Sequence, residues 1–114
     1  MNAWEVVYTE QAERDLRDIY EYIAFSLLEP DIAKNQARRI MEAAAGLDQM
    51  PMRFRLYEKE PWHSKGLRVL PVDNYLAFYL PVESKKTVAV IRIMYGGRNI
   101  EKQLNQTETA KEDN

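Results

Sequence analysis

Arg53, Arg55, Arg68, Arg92 and Arg98 all lie in the second half of this chain, together with Trp62 and the single histidine, His63. A guanidinium binds phosphate or carboxylate as a two-pronged donor, an indole stacks on a base, and an imidazole can move a proton near neutral pH. Trp62 and His63, flanked by Lys59 and Lys65, therefore fit a base-stacking and general-acid position against a phosphate. The other reading, and the commoner arrangement, is a loop anchored by the indole with the histidine left in solvent. Arg53 and Arg55 alternate with Met52, Phe54 and Leu56, which reads either as an anion site or as a solvent-facing edge strand. Arg92 stands among apolar neighbours in a strand, where it is either a binding group or a cation packed along the surface. Gly96 and Gly97 immediately precede Arg98; such a pair lets the chain turn sharply and present the arginine at the end of a sheet.

Composition limits the classes of chemistry. With 114 residues the chain has room for one domain with a real core. It has no cysteine and one histidine, which excludes disulfides and an ordinary zinc site, so no metal or cofactor is expected. The first residues lack a signal-peptide pattern and no apolar run is long enough to span a bilayer, so a cytoplasmic protein without a membrane partner is expected. The net charge of -2 conceals an asymmetry. Residues 1–50 carry five basic and ten acidic side chains, and residues 51–102 carry ten basic and five acidic. That division suits either a polarised surface for a polyanion or acidic protein segment, or a solvated mixed-charge surface.

The elements that must position these groups follow from periodicity. Trp4, Val6 and Tyr8 alternate with Glu5 and Val7 as a first strand, and Thr9 is an N-cap with Glu10 and Glu13 in the following turn. Ala12, Leu16, Ile19, Tyr20, Ile23 and Leu27 then mark the buried stripe of a helix. Pro30 interrupts it, and a second helix runs to about residue 48 on Ala33, Ala37, Ile40, Met41, Ala44 and Leu47. Residues 50–65 show little periodicity and read as a long connection of the kind that often carries function. Strands at 67–72, 75–82 and 87–95 follow, with tight polar links that favour antiparallel hairpins. In the last of them Ala89, Ile91, Ile93 and Tyr95 fall on one side, and Val88, Val90, Arg92 and Met94 on the other. A short helix begins after Arg98. The expected fold is α+β: an N-terminal strand, a helical hairpin packed on one face of an antiparallel sheet, and a short C-terminal helix, with the other sheet face open and carrying Arg68 and Arg92. Residues 1–104 form the single domain, and the polar residues 105–114 read as a disordered tail that folding does not need.

Two runs in this order, G-L-R-V-L-P-V-D-N-Y-L-A-F-Y-L at 66–80 and T-V-A-V-I-R-I-M-Y-G-G-R-N-I-E-K-Q-L at 87–104, resemble the RelE/ParE superfamily of bacterial type II toxins. Gly66, Arg68, Pro71, Tyr75, Arg92 and Tyr95 carry much of the match, with Gly96, Arg98 and the apolar Ile100 and Leu104 after them. The resemblance implies that an antitoxin's C-terminal segment wraps the chain in a hetero-oligomer. It also implies that the exposed sheet face and C-terminal segment form the working surface, with Arg53, Arg55, Trp62, Arg68, Arg92 and Arg98 as binding residues.

RelE-like members cut mRNA on the ribosome, which requires a base, cations at the phosphate and an acid. In them an arginine follows the tyrosine of the third strand, and a tyrosine or histidine near the C-terminus moves protons. Here Leu76 follows Tyr75, and no aromatic residue or histidine follows Arg98. An RNase of this kind would rely on Arg98 with Tyr95 or His63. ParE-like members instead bind DNA gyrase, and the G-L-R-V-L-P-V segment with the long helical hairpin resembles these more closely. Gyrase inhibition is accordingly the expected activity, ribosome-dependent mRNA cleavage the alternative, and a non-toxic antitoxin-binding module the third reading.

Overall fold

The computed structural model describes residues 3–97 and 99–107. Thr9 separates strand β1 (Glu5–Tyr8) from helix α1 (Glu10–Glu21). Its hydroxyl accepts the Ala12 amide at 3.1 Å, satisfying one of the orphan donors of the first turn, while Glu10 and Glu13 face the positive end of the helix dipole. The same hydroxyl donates to the Ile91 carbonyl at 2.9 Å. One side chain thus starts the helix and ties it to the last strand.

The chain leaves α1 through a π-helical turn, Tyr22–Ser26, and enters helix α2 (Pro30–Ala45) with Pro30 in the first turn, where its missing N–H costs nothing. Ala12, Ala33 and Ala44 are fully buried, so the hairpin approaches the sheet closely. Two expected members of the buried stripes are exposed: Leu27 and Met41. For Leu27 the cause is the π turn, in which the Leu27 amide bonds the Tyr22 carbonyl at 3.0 Å; the wider turn rotates residue 27 off the buried face. Met41 lies beside the Ala33, Ile40, Ala44 row and points away from it.

Strands β2 (Arg68–Val72), β3 (Tyr75–Val82) and β4 (Thr87–Tyr95) form the expected antiparallel meander. Positive-φ residues make its corners, Asp73 at 56° and Lys86 at 49°. β1 adds to β4 in parallel, so the sheet is mixed, in the order β1-β4-β3-β2. A parallel neighbour needs a crossover, which the helical hairpin supplies while covering one sheet face. The core on that side includes Ile40, Leu47, Tyr79, Val88, Val90 and Ile93.

The opposite face, expected to be open, is closed by a second core. Helix α3 (Trp62–Lys65) and helix α4 (Ile100–Asn105) bring Trp62 and Leu104 onto Leu67, Val69, Phe78 and Ile91. Residues 50–65 are therefore no structureless loop: Pro51–Arg53 is a 3-10 turn, and Leu56 pairs with Arg68 along the β2 edge. The alternation expected in β4 also fails beyond Val90. Phe78 lies opposite Arg92 while Tyr79 lies opposite Val90, so Ile91 is an extra, bulged residue. Val88, Val90 and Ile93 consequently face the helices, and Ile91 and Met94 face the second core. Of the residues expected as a tail, 105–107 are placed in the fold: α4 runs through Asn105 and Thr107 is fully buried. Residues 108–114 lie outside the described residues.

Candidate functional site

The bulge determines what Arg92 does. β1 ends opposite Val90, so β4 is an edge beyond that point, and α1 side chains take the place of a partner strand. Thr9 caps the Ile91 carbonyl, and Asp15 accepts the Ile93 amide at 2.9 Å. Asp15 also accepts Nε and Nη2 of Arg92 at 2.7 and 3.0 Å, a bidentate pair in which the side chains are 13% and 15% exposed. The remaining Nη1 donates to the Gln103 carbonyl and the Thr107 hydroxyl, both at 3.2 Å. Arg92 clamps the first helix to the last one around the edge of the sheet, and its guanidinium is turned inward rather than toward a partner.

Two other arginines are likewise spent on backbone oxygens. Arg68 Nη1 donates to the carbonyls of Met52 and Phe54 at 3.0 and 2.6 Å, fastening the 3-10 turn to β2. Arg53 reaches back to the carbonyls of Gln49 and Met50 and lies over the Phe54 ring at 4.8 Å. Arg55 is exposed, with its carbonyl accepting the Val69 amide at 3.1 Å. Of the two readings offered by the 52–56 alternation, the edge pairing is the one this backbone adopts.

Trp62 is 1% exposed, within the second core. A buried indole cannot stack on a base, so of the two readings the structure adopts the anchor, with Trp62 fastening its segment to the sheet and leaving the binding role given to it without support. His63 is exposed, with Nδ1 at 3.0 Å from the Tyr57 carbonyl. Arg98, to which the resemblance gives the most weight, lies outside the described residues.

Tyr95 is the candidate that opens onto a concavity. Its ring meets that of Tyr75 edge to face, with centroids 5.8 Å apart, and both line a groove of about 850 Å³ on the helical side of the sheet. The wall opposite them is α1 and the π turn, with Ile19, Tyr22, Ile23 and Leu27; Ile32 of α2 completes it. Burial, reinforced by neighbouring Tyr95 and Tyr22, raises the Tyr75 hydroxyl above the usual tyrosine range. Tyr95 and His63 belong to opposite sides of the sheet and are not brought together. The glycine pair works here by close approach: a Cβ on Gly97 would lie 2.8 Å from the Tyr95 ring, and one on Gly96 would lie 3.2 Å from the Asn74 carbonyl oxygen. Among the described glycines, positive φ falls on Gly66 and not on this pair.

The groove continues onto an apolar hairpin tip. Tyr22, Phe25 and Leu28 are 57%, 68% and 77% exposed, and Leu28 holds a left-handed φ of 58°. Such backbone is costly for leucine, whose Cβ crowds the following carbonyl oxygen, and with the π turn beside it marks a strained, outward-facing element of the kind found at functional sites. The periodicity did not reveal this surface, because it counted Leu27 into the core. Leu27-Leu28 followed by Glu29-Pro30 was the available signal: apolar residues placed where a helix has to stop.

The family described as ParE toxin of type II toxin-antitoxin system, parDE, matches residues 6–100. No curated protein matches in sequence. Among solved structures the chain is similar to the chromosomal ParDE toxin-antitoxin system of P. aeruginosa, at 23% identity and TM-score 0.67 over 83% of this chain and 98% of that one. It is also similar to the RelBE2 toxin-antitoxin complex of Mycobacterium tuberculosis, at 24% identity and TM-score 0.59 over 83% and 93%. The free E. coli toxin RelE, a mutant form, shares the fold with 11% identity and TM-score 0.66 over 95% and 97%. The α+β layout of one strand, two helices, a four-stranded sheet and a short last helix is thus that of the RelE/ParE structures. With the family match spanning most of its length, the chain belongs to the ParE toxins of type II toxin-antitoxin systems.

Proposed function

We propose that this toxin arrests DNA gyrase by binding it in the cytoplasm, and that a cognate antitoxin neutralises it by laying an amphipathic segment into the groove between the hairpin and the sheet. The observation that carries the reading is the dispersal of the described candidate residues, binding and catalytic alike. Arg92, Arg68 and Arg53 are engaged within the fold, Trp62 is buried, and Tyr95 and His63 lie on different sides of the sheet. Acid, base and phosphate-binding cation do not converge among the described residues, whereas phosphoryl chemistry requires all three within reach of one bound phosphodiester. A toxin that works by binding needs no such convergence. The groove and its exposed tip have the apolar character that helix-in-groove recognition uses.

Controlled expression in a bacterium tests the target, with DNA breaks, gyrase supercoiling activity and transcript ends followed together. Arrest with DNA breaks and intact transcripts is the expected result. Codon-positioned transcript cuts would replace it with ribosome-dependent mRNA cleavage, and growth without arrest would leave a module that binds antitoxin alone. Arg98→Ala is expected to relieve the arrest without loss of fold; an unchanged arrest removes Arg98 from the working surface.

A further inference from the structure

The groove contains a charge imbalance that an apolar segment alone would not satisfy. Asp15, Asp18 and Glu29 are among its lining residues, and among the described residues no lysine, arginine or histidine lines it. Asp15 is neutralised by Arg92. Asp18 and Glu29 are exposed and have no cationic partner among the described residues. Three tyrosines line the groove as well, Tyr22 from the π turn and Tyr75 and Tyr95 from the facing ends of β3 and β4, the last two edge to face at 5.8 Å. Aromatic faces attract cations through their quadrupole, and a carboxylate nearby adds to that attraction. A planar guanidinium uses both, stacking on a ring while its edge donates to an oxygen.

Resting on the reading that an antitoxin segment occupies this groove, we propose that the segment is anchored by a basic side chain, arginine in preference to lysine, held between the Tyr22, Tyr75 and Tyr95 rings and the Asp18 and Glu29 carboxylates. Its apolar residues cover Ile19, Leu27 and Ile32. This partner is therefore basic as well as apolar where it meets the acidic, helical half of the toxin. An acidic segment is disfavoured at this position by the same two carboxylates. The anchor supplies register, since a segment held by apolar contacts alone could slide by a turn along the groove.

The test is to pan a random 16-residue peptide library against the full-length protein and measure the recovered peptides by fluorescence anisotropy. Peptides that bind the wild type and lose binding to Ile32→Asp are expected to carry an arginine or lysine among apolar residues at helical spacing. For these, Asp18→Asn combined with Glu29→Gln should weaken binding about tenfold at low salt, with the gap narrowing at high salt. Tyr95→Leu, which keeps apolar area and removes the ring, should weaken it several-fold. All of these substitutions are at exposed positions, and an unchanged circular dichroism spectrum verifies the fold. Groove-dependent peptides without basic enrichment, or indifferent to the double carboxylate variant, overturn the anchor and leave the groove reading standing. Peptides indifferent to Ile32→Asp, or no recovery at all, overturn the groove reading itself.

Discussion

Arg92 and Asp15 are 77 residues apart in sequence, yet the guanidinium grips both carboxylate oxygens at 2.7 and 3.0 Å. The pair lies where β1 has ended and β4 has no strand beside it, so a side-chain contact closes a gap in the backbone ladder. Because Arg92 also holds Gln103 and Thr107, the pair joins the first helix, the sheet and the last helix.

Removing either partner should leave a mostly buried charge uncompensated. Arg92→Ala is expected to lower the unfolding free energy by about 3 kcal/mol, and Asp15→Ala by a similar amount. The double variant should lose much less than the sum, since neither charge is then stranded. Urea denaturation of the four proteins measures this, and additive losses would show that the two residues act independently. Thr107→Val should cost about 1 kcal/mol by removing one acceptor of Arg92.

Gly97→Ala places a methyl group 2.8 Å from the Tyr95 ring. That ring is half-exposed and can swing aside, so stability should change by less than about 1 kcal/mol. The Tyr75 and Tyr95 contact should be lost, however, and with it part of the affinity for a groove-binding peptide. Ring-proton shifts of Tyr75 and Tyr95 report the displacement; unchanged shifts would mean that the backbone yields instead.

Trp62 should act through stability alone. Trp62→Ala is expected to cost about 3–5 kcal/mol as a core truncation. Trp62→Phe should cost less and should leave growth arrest intact, which expression at matched protein levels can check. A loss of arrest in a well-folded Trp62→Phe protein would return the indole to the working surface.

Asp73 at the β2–β3 corner accepts both Nε and Nη2 of Arg39 at 2.9 and 2.7 Å, together with Gln36, and these bonds hold its carboxyl below the usual range. A lowered folded value means that the contribution is present above the unfolded value, about pH 3.9, and is lost as pH falls through the folded one. Asp73→Asn keeps a residue that tolerates the positive φ of 56° and removes the charge. The variant should therefore show a flatter loss of stability with acidification, and an identical pH profile would assign the acid dependence to other carboxylates.

The local elements were legible in the sequence because they depend on neighbours. Thr9 as a cap, Pro30 as the break between the two helices, and the three meander strands agree with the structure to within a residue or so, since capping, proline geometry and hairpin turns act over a few positions. The order of those elements also determined the family. Tertiary structure alone decided which way the cationic groups point. A single bulged residue, Ile91, reset the alternation of β4 and sent Arg92 to Asp15; no period-two rule contains that step. Packing of α3 and α4 closed the face that an isolated sheet leaves open, burying Trp62. The groove arises where the π turn carries Leu27 off the helix stripe and lets the hairpin tip stand clear of the sheet, a relation between segments more than forty residues apart that periodicity within either one does not encode.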